Sequence, residues 1–169
     1  IKFVGDPRAR IAEDVLRVLR YFRFIAYYGK SSEDRNALSA CRDYASQLGN
    51  LSADRVWGEF SKILAAPDPT HTIALMSKWG VLEKILSSEI RLDRLDKLIS
   101  FEKKFKRINP DPIRRLVATT HLEKSSVKSL SKRLNLSGFD RKRLLNLVTA
   151  TISPDVVSGD KKNREILFQ

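Results

Sequence analysis

Apolar residues that recur at helical spacing near the start of the chain constrain its fold more than any other feature. On a helical wheel of about 100° per residue, these side chains fall within roughly 80° of one another. They are Ile11, Val15, Val18, Phe22 and Ile25. Leu16 and Leu19 form a second apolar strip, so the helix is expected to pack on two sides. No segment alternates as a strand does, and the prediction is an all-α fold, an elongated multi-helix bundle or superhelix.

The polar side of this first helix carries an acidic pair followed by arginines at steps of three. The residues are Glu13, Asp14, Arg17, Arg20 and Arg23. A guanidinium only donates hydrogen bonds and a carboxylate only accepts them, so Asp14 and Arg17 would form an acceptor-plus-donor edge. Cytosine and adenine complement that edge, whereas guanine and uracil do not. A site built on paired hydrogen bonds rejects such a mismatch, because buried polar groups are left unpaired.

The other charged residues of this helix suggest supporting roles. Glu13 lies four residues before Arg17 and would orient the guanidinium. Arg20 and Arg23 would then remain free for phosphate or a second base edge. The alternative is an ordinary solvated helix face with a surface ion pair, which stabilises a protein very little.

Turn signals divide the rest of the chain into short helices. The predicted ranges are 36–48, 53–66, 70–79, 90–106, 113–120, 126–134 and 140–151, with a short turn over 81–86 and a last segment from about 160. Ser52 and Thr70 are the expected N-caps, and Gly80 is an expected helix stop. The Pro67-Asp68-Pro69 corner separates two predicted units, 1–66 and 67–169.

The net charge of +12 is concentrated late in the chain. Residues 101–169 contain 16 Lys and Arg against 7 Asp and Glu, whereas residues 1–100 contain 16 against 13. The clustered cations are Lys103, Lys104, Lys106, Arg107, Arg114, Arg115, Lys132, Arg133, Arg141, Lys142 and Arg143. Such a surface favours a polyanion with strong salt dependence and little sequence information, which makes these residues candidate RNA contacts. The alternative is a basic surface that serves only solubility. The clusters have no aromatic face beside them, so they do not indicate binding to a membrane.

Two motifs resemble the neck region of class II tRNA nucleotidyltransferases, the bacterial CCA-adding enzymes, and their close relatives, the bacterial poly(A) polymerases. They are Gly5-Asp6-Pro7 with Arg10-Ile11-x-Glu13-Asp14-x-x-Arg17-x-x-Arg20-x-x-Arg23-Phe24, and Leu51-Ser52-Ala53-Asp54-Arg55-Val56-Trp57-Gly58-Glu59-Phe60 with Lys62, Ile63 and Leu64. The match is dense over 3–26, good over 51–69 and weak beyond about 90. Asp54 stands where the family usually has Glu.

The resemblance implies roles for individual residues. Asp14 and Arg17 would pair with the base of CTP or ATP, Glu13 would orient Arg17, and Arg20 and Arg23 would contact the bound nucleotide. Residues 1–66 would be a nucleotide-selecting neck, and residues 67–169 a body that grips the acceptor and TΨC arms of tRNA, running into a tail. The parent enzyme would add CMP and AMP to the tRNA 3′ end.

The catalytic head that the family carries has no counterpart in this sequence. Its Gly-Gly phosphate loop and its Asp-x-Asp pair, which holds Mg²⁺, are both absent. We therefore expect the C-terminal part of a longer enzyme, inactive alone, whose own N-terminal head supplies Mg²⁺ and the chemistry. Open alternatives are a poly(A) polymerase, an enzyme that adds only part of the CCA end, and a non-catalytic helical RNA-binding module.

Other residue types suggest no second site. Cys41 has no cysteine to pair with, which indicates a core residue and a cytoplasmic protein. His71 and His121 are too far apart in the chain to suggest a metal site. Trp57 and Trp79 occupy apolar positions and are expected in the core. No apolar run approaches the ~20 residues that a membrane span requires.

Overall fold

The computed structural model describes residues 1–29, 33–86, 88–105 and 107–150. Over these ranges the chain is helical, and its only strand-like pairing is an isolated antiparallel bridge between Ile90 and Thr120. The helices are α1 (Pro7–Glu13), α2 (Arg17–Tyr28), α3 (Arg35–Tyr44), α4 (Ala53–Leu64), α5 (Thr70–Lys78), α6 (Leu82–Ile85), α7 (Leu92–Lys104), α8 (Pro112–Thr119), α9 (Lys124–Arg133) and α10 (Gly138–Ala150). A 3-10 helix, Ala45–Asn50, follows α3 directly. The predicted all-α class is confirmed.

Aspartate side chains fix the first turns of several helices. Asp6 Oδ2 accepts a hydrogen bond from the Ala9 N–H at 2.9 Å before α1. Asp111 Oδ1 accepts one from the Arg114 N–H at 2.8 Å before α8. Asp34 caps α3 in the same way. In α1 and α8 a proline follows the aspartate, where its missing N–H leaves no helical hydrogen bond unmade.

The first predicted helix is in fact two helices, and the prediction of one continuous helix is wrong. Asp14 has extended backbone angles, φ −154° and ψ 104°, and lies between α1 and α2. Its Oδ1 accepts a hydrogen bond from the Leu16 N–H at 3.2 Å, and its carbonyl accepts one from the Arg17 N–H at 3.0 Å. A short acidic side chain competes with the helix for backbone N–H groups, which explains the break. Ile11 and Leu16 are buried on either side of it.

The remaining helix boundaries agree with the predicted ranges to within about two residues, with one exception. The helix predicted over 36–48 ends at Tyr44 and continues as the 3-10 helix. Gly80 follows the C-cap of α5 with φ +68°, a conformation that a residue with a Cβ adopts only at a cost. The segment predicted from 160 lies outside the described residues.

The helices share one apolar core. α1 packs on α3, α2 packs on α4 and α5, α8 packs on α4, α7 and α10, and α10 also packs on α9. The buried apolar residues form a continuous cluster from Ile11 to Val148. Helices on both sides of residue 66 therefore contact each other, and the division into 1–66 and 67–169 stays a prediction.

Candidate functional site

The Arg17 guanidinium is held at the junction of α1 and α2. Its Nη1 lies 2.5 Å from Glu13 Oε2 and donates a hydrogen bond to the Arg10 carbonyl at 2.7 Å. Arg10 Nη1 contacts the same Glu13 oxygen at 2.7 Å. The hydrogen bond from Arg17, supported by Arg10, holds the pKa of Glu13 below its ordinary value. Glu13 and Arg17 therefore meet across the break between the two helices.

The Asp14 carboxylate pairs with two other arginines. Its Oδ1 lies 3.0 Å from Arg55 Nη2 in α4, and its Oδ2 lies 3.9 Å from Arg20 Nη1 in α2. The sequence predicted that Asp14 and Arg17 lie one turn apart on a single helix and so form a common edge. That helical spacing is wrong, because the backbone at Asp14 is extended. The role of Asp14 and Arg17 in base selection stays a prediction.

Arg23 is not free, contrary to the prediction. Its Nη1 lies 3.1 Å from Glu59 Oε2, and its guanidinium carbon lies 5.3 Å from the centre of the Phe24 ring. Glu59 is buried on α4, and Lys62 Nζ reaches its other oxygen at 3.4 Å. A buried carboxylate requires a charged partner, so α4 recruits Arg23 to the interface between α2 and α4.

The corner where α1, α2 and α4 meet presents more guanidinium donors than its carboxylates use. Arg20 and Arg55 each expose nearly half of their side chains, so their remaining N–H groups can bind an anionic group. Arg55 was not among the predicted site residues. The sequence signal for it was the second motif, where Arg55 comes three residues after the expected cap Ser52. Its distance of 41 positions from Asp14 concealed the contact.

Arg115 is buried, and its prediction as an RNA contact is wrong. Its side chain is 2% exposed, and its Nη1 donates to the Leu64 and Ala66 carbonyls at 2.5 and 2.6 Å. Its Nε and Nη2 contact Glu102 Oε2 at 2.8 and 2.7 Å. Arg115 thus satisfies carbonyls that the end of α4 leaves unpaired and joins α4 to α7 and α8.

Three further predicted RNA contacts take part in ion pairs within the chain. Arg114 Nη2 lies 2.6 Å from Glu102 Oε1, and Arg143 Nη2 lies 2.8 Å from Asp111 Oδ2. Both side chains are about three-quarters buried, so little of either guanidinium group is accessible to a ligand. Lys103 pairs with Asp68 at 2.6 Å but remains exposed.

The other predicted cations lie on the surface, except that Lys106 lies outside the described residues. The exposed ones are Lys104, Arg107, Lys132, Arg133, Arg141 and Lys142. Arg133 Nη2 donates to the Lys84 carbonyl at 2.6 Å. Arg141 and Lys142 line a groove of about 400 Å³ between α9 and α10, together with Lys124 and Lys128, which are not among the predicted RNA contacts.

The remaining candidates are structural. Cys41 is fully buried, and burial raises the pKa of its thiol to about 12. Trp57 and Trp79 are partly buried against the core. In the part of the chain that the structure describes, no His, Cys, Asp and Glu side chains cluster in a way that could hold a metal ion. None of its helices is long and apolar enough to cross a membrane.

Residues 34–90 match the family model described as "Probable RNA and SrmB- binding site of polymerase A". The chain is 33% identical to the human mitochondrial CCA tRNA nucleotidyltransferase 1 over 168 residues, which cover 92% of this chain and 37% of that protein. It is 34% identical to the mouse protein of the same name over 81% of this chain and 31% of that protein. A CCA-adding enzyme of a Geobacillus species is 36% identical over 46% of this chain and 19% of its own length.

The chain belongs to the CCA-adding enzyme family. It spans about a third of the length of the mouse and human relatives. The matched RNA-binding range covers α3 to α6. It therefore includes the α4 part of the corner, whereas α1 and α2 precede it and the groove between α9 and α10 follows it.

Proposed function

We propose that this chain is the nucleotide-selecting and tRNA-binding part of a CCA-adding tRNA nucleotidyltransferase. The parent enzyme would transfer CMP and AMP from CTP and ATP to the 3′ hydroxyl of tRNA. The names of the relatives and the matched RNA-binding model support tRNA as the partner. Selection of the nucleotide is the more specific claim of the proposal, and it rests on the corner of α1, α2 and α4.

The observation that carries nucleotide selection is the fixed orientation of Arg17. Two acceptors, the Glu13 carboxylate and the Arg10 carbonyl, engage one end of its guanidinium. The N–H groups not used there can donate to a base, and the quarter-exposed Asp14 carboxylate retains lone pairs that can accept from an amino group. Arg20 and Arg55 would hold the phosphates, because their guanidinium groups are half-exposed.

Preorganisation explains why this arrangement would discriminate between bases. A donor and an acceptor that are already held by neighbours cannot rotate to suit guanine or uracil, so a mismatched base leaves them unpaired. Arg55 and Arg20 would hold the Asp14 carboxylate in place. Glu13 would orient Arg17, and Arg23 would fix α2 against α4, so both residues would help to hold the donor and the acceptor in position.

The chemistry of the transfer would come from a head domain outside this sequence. The described residues do not fit a Mg²⁺ site, because they bring no group of carboxylates together. We expect Mg²⁺ to bind in that head, and no reaction step is assigned to this chain. The cytoplasm stays the expected compartment, while the mouse and human relatives are named as mitochondrial proteins.

The test uses the full polypeptide that contains this chain and a tRNA transcript that lacks its 3′ CCA. With CTP and ATP, three added nucleotides followed by a stop would establish CCA addition. A ladder of adenylates on tRNA and unrelated RNA alike would indicate a poly(A) polymerase. No extension at all would indicate a non-catalytic helical RNA-binding module.

Variants of the corner then test selection itself. Arg17→Ala and Asp14→Ala should reduce the preference for CTP and ATP over GTP and UTP by at least about tenfold. Arg8→Ala is the matched control, because it removes an arginine of α1 whose ion pair is with Asp43 rather than with a residue of the corner. Unchanged selectivity in both corner variants would show that the base is chosen elsewhere.

A further inference from the structure

The groove between α9 and α10 is lined by cations that have no acidic partner among the described residues. These cations are Lys124, Lys128, Arg141 and Lys142. The neighbouring acids take hydroxyl partners instead. Glu123 Oε2 accepts from the Ser125 hydroxyl at 3.2 Å, and Asp140 Oδ2 accepts from the Ser137 hydroxyl at 2.9 Å. By contrast, Arg143, which is also on α10, is paired with the Asp111 carboxylate.

Each of the two helices contributes two of these cations to the groove. Lys124 and Lys128 lie in the first two turns of α9, and Arg141 and Lys142 lie in the first two turns of α10. Like charges held close together repel one another, and a polyanion in the groove would relieve that repulsion. Both helices therefore direct positive charge into one groove, which is the arrangement that a polyanion stabilises.

The groove also offers apolar surface, and an exposed aromatic ring lies on the adjoining face of α10. Val127 and Leu145 are among its lining residues. Phe139 does not line the groove; it lies about 100° around α10 from the lining residue Gly138 and is 70% exposed. The Arg143 guanidinium carbon lies 5.6 Å from the centre of its ring, and Asp111 holds Arg143 in place. The ring is thus supported by a fixed cation while most of its surface faces solvent.

We propose that the groove and the adjoining face of α10 bind an unpaired segment of RNA, with phosphates on the four cations of the groove and a base stacked on Phe139. The proposal rests on the proposed function, since it names the form of RNA that this surface takes. A duplex would present phosphates and ribose to the groove and leave Phe139 uncovered. An unpaired strand covers both surfaces, because its bases have free faces for stacking.

The first test measures binding of the full polypeptide to a labelled unstructured RNA 12-mer and to a duplex of the same length. We expect the single strand to bind more tightly. Lys124→Glu with Lys128→Glu should weaken that binding at least about tenfold and reduce the slope of log affinity against log salt by about 1.4, about 0.7 for each lost phosphate contact. Lys2→Glu with Lys97→Glu is the matched control, because it makes the same charge change at exposed positions outside residues 34–90 and outside the predicted RNA contacts.

The second test isolates stacking. Phe139→Ala should weaken binding of the single strand by about fivefold or more, without changing the salt slope. A 2-aminopurine base in the 12-mer should be quenched on binding to the original protein, and less so on binding to the variant. If the duplex binds as tightly as the single strand and Phe139→Ala has no effect, stacking is refuted.

The outcomes separate this inference from the proposed function. If the lysine pair and the control pair behave alike while tRNA is still extended, the groove is not the RNA site and the proposed function stands. If the groove binds the single strand but no tRNA is extended, the proposed function fails and the inference that the groove binds unpaired RNA stands. If the lysine pair affects only binding to vesicles rich in phosphatidylserine, the ligand is a membrane and the proposal is overturned.

Discussion

The ion network of Arg115 and Glu102 should be among the most costly places in the fold to disturb. Glu102 accepts from Arg115 through Oε2 and from Arg114 through Oε1, and it is 6% exposed. Replacing Glu102 by Ala leaves the Arg115 guanidinium buried without a counter-charge. Breaking a buried pair in this way costs about 3–5 kcal/mol, a large share of the stability of a typical domain.

The variant Arg115→Met should act differently, because it removes the buried charge itself. Glu102 keeps Arg114 as its partner, but the Leu64 and Ala66 carbonyls lose their donor. Each unsatisfied buried carbonyl costs about 1–3 kcal/mol, so we expect the two together to cost about 2–6 kcal/mol. Combining Arg115→Met with Glu102→Ala should cost at least about 1 kcal/mol less than the sum of the two single changes, since neither Arg115 nor Glu102 is then left buried without the other.

Urea unfolding followed by circular dichroism measures these free energies, provided the denaturant slope stays constant. The matched control is Lys103→Met, which breaks an exposed ion pair with Asp68 and should cost less than about 1 kcal/mol. The reasoning fails if Glu102→Ala costs no more than the control. It also fails if the two effects at Glu102 and Arg115 simply add.

Further expectations follow from single contacts. The pKa of Glu13, measured by NMR, should lie below that of a free glutamate and should rise in Arg17→Ala; an unchanged value would refute the ion pair. Because the folded-state pKa is lowered, the stability from Glu13 is present above its unfolded pKa and lost as pH falls through the folded one. Cys41 should resist alkylation at pH 8 until the protein unfolds, and rapid labelling would contradict its burial and a thiol pKa of about 12. Gly80→Ala should destabilise the fold by about 1 kcal/mol, because its φ is +68°, while Gly58→Ala inside α4 should stabilise it by about 0.5–1 kcal/mol; equal effects would contradict the conformation assigned to Gly80.

Most of the fold could be predicted from the sequence because helices are local. The spacing of Ile11, Val18 and Phe22, the capping aspartates and the stop at Gly80 all act within a few residues of the positions they control. Even the break at Asp14 has a local cause, but the continuous apolar pattern on both sides of it masked the competition for backbone hydrogen bonds. The periodicity therefore predicted burial correctly there while missing the change of direction.

The sequence by itself determined which segments are helical, where positive charge accumulates and which motifs relate the chain to the CCA-adding enzymes. Only the tertiary structure decided which cations remain available. Arg115 and Lys142 belong to equally basic runs, yet one is buried beneath α4 and the other lines a groove. That difference depends on how α4, α7 and α8 meet, because a charge is neutralised by whichever carboxylates and carbonyls the packed helices bring within hydrogen-bonding distance.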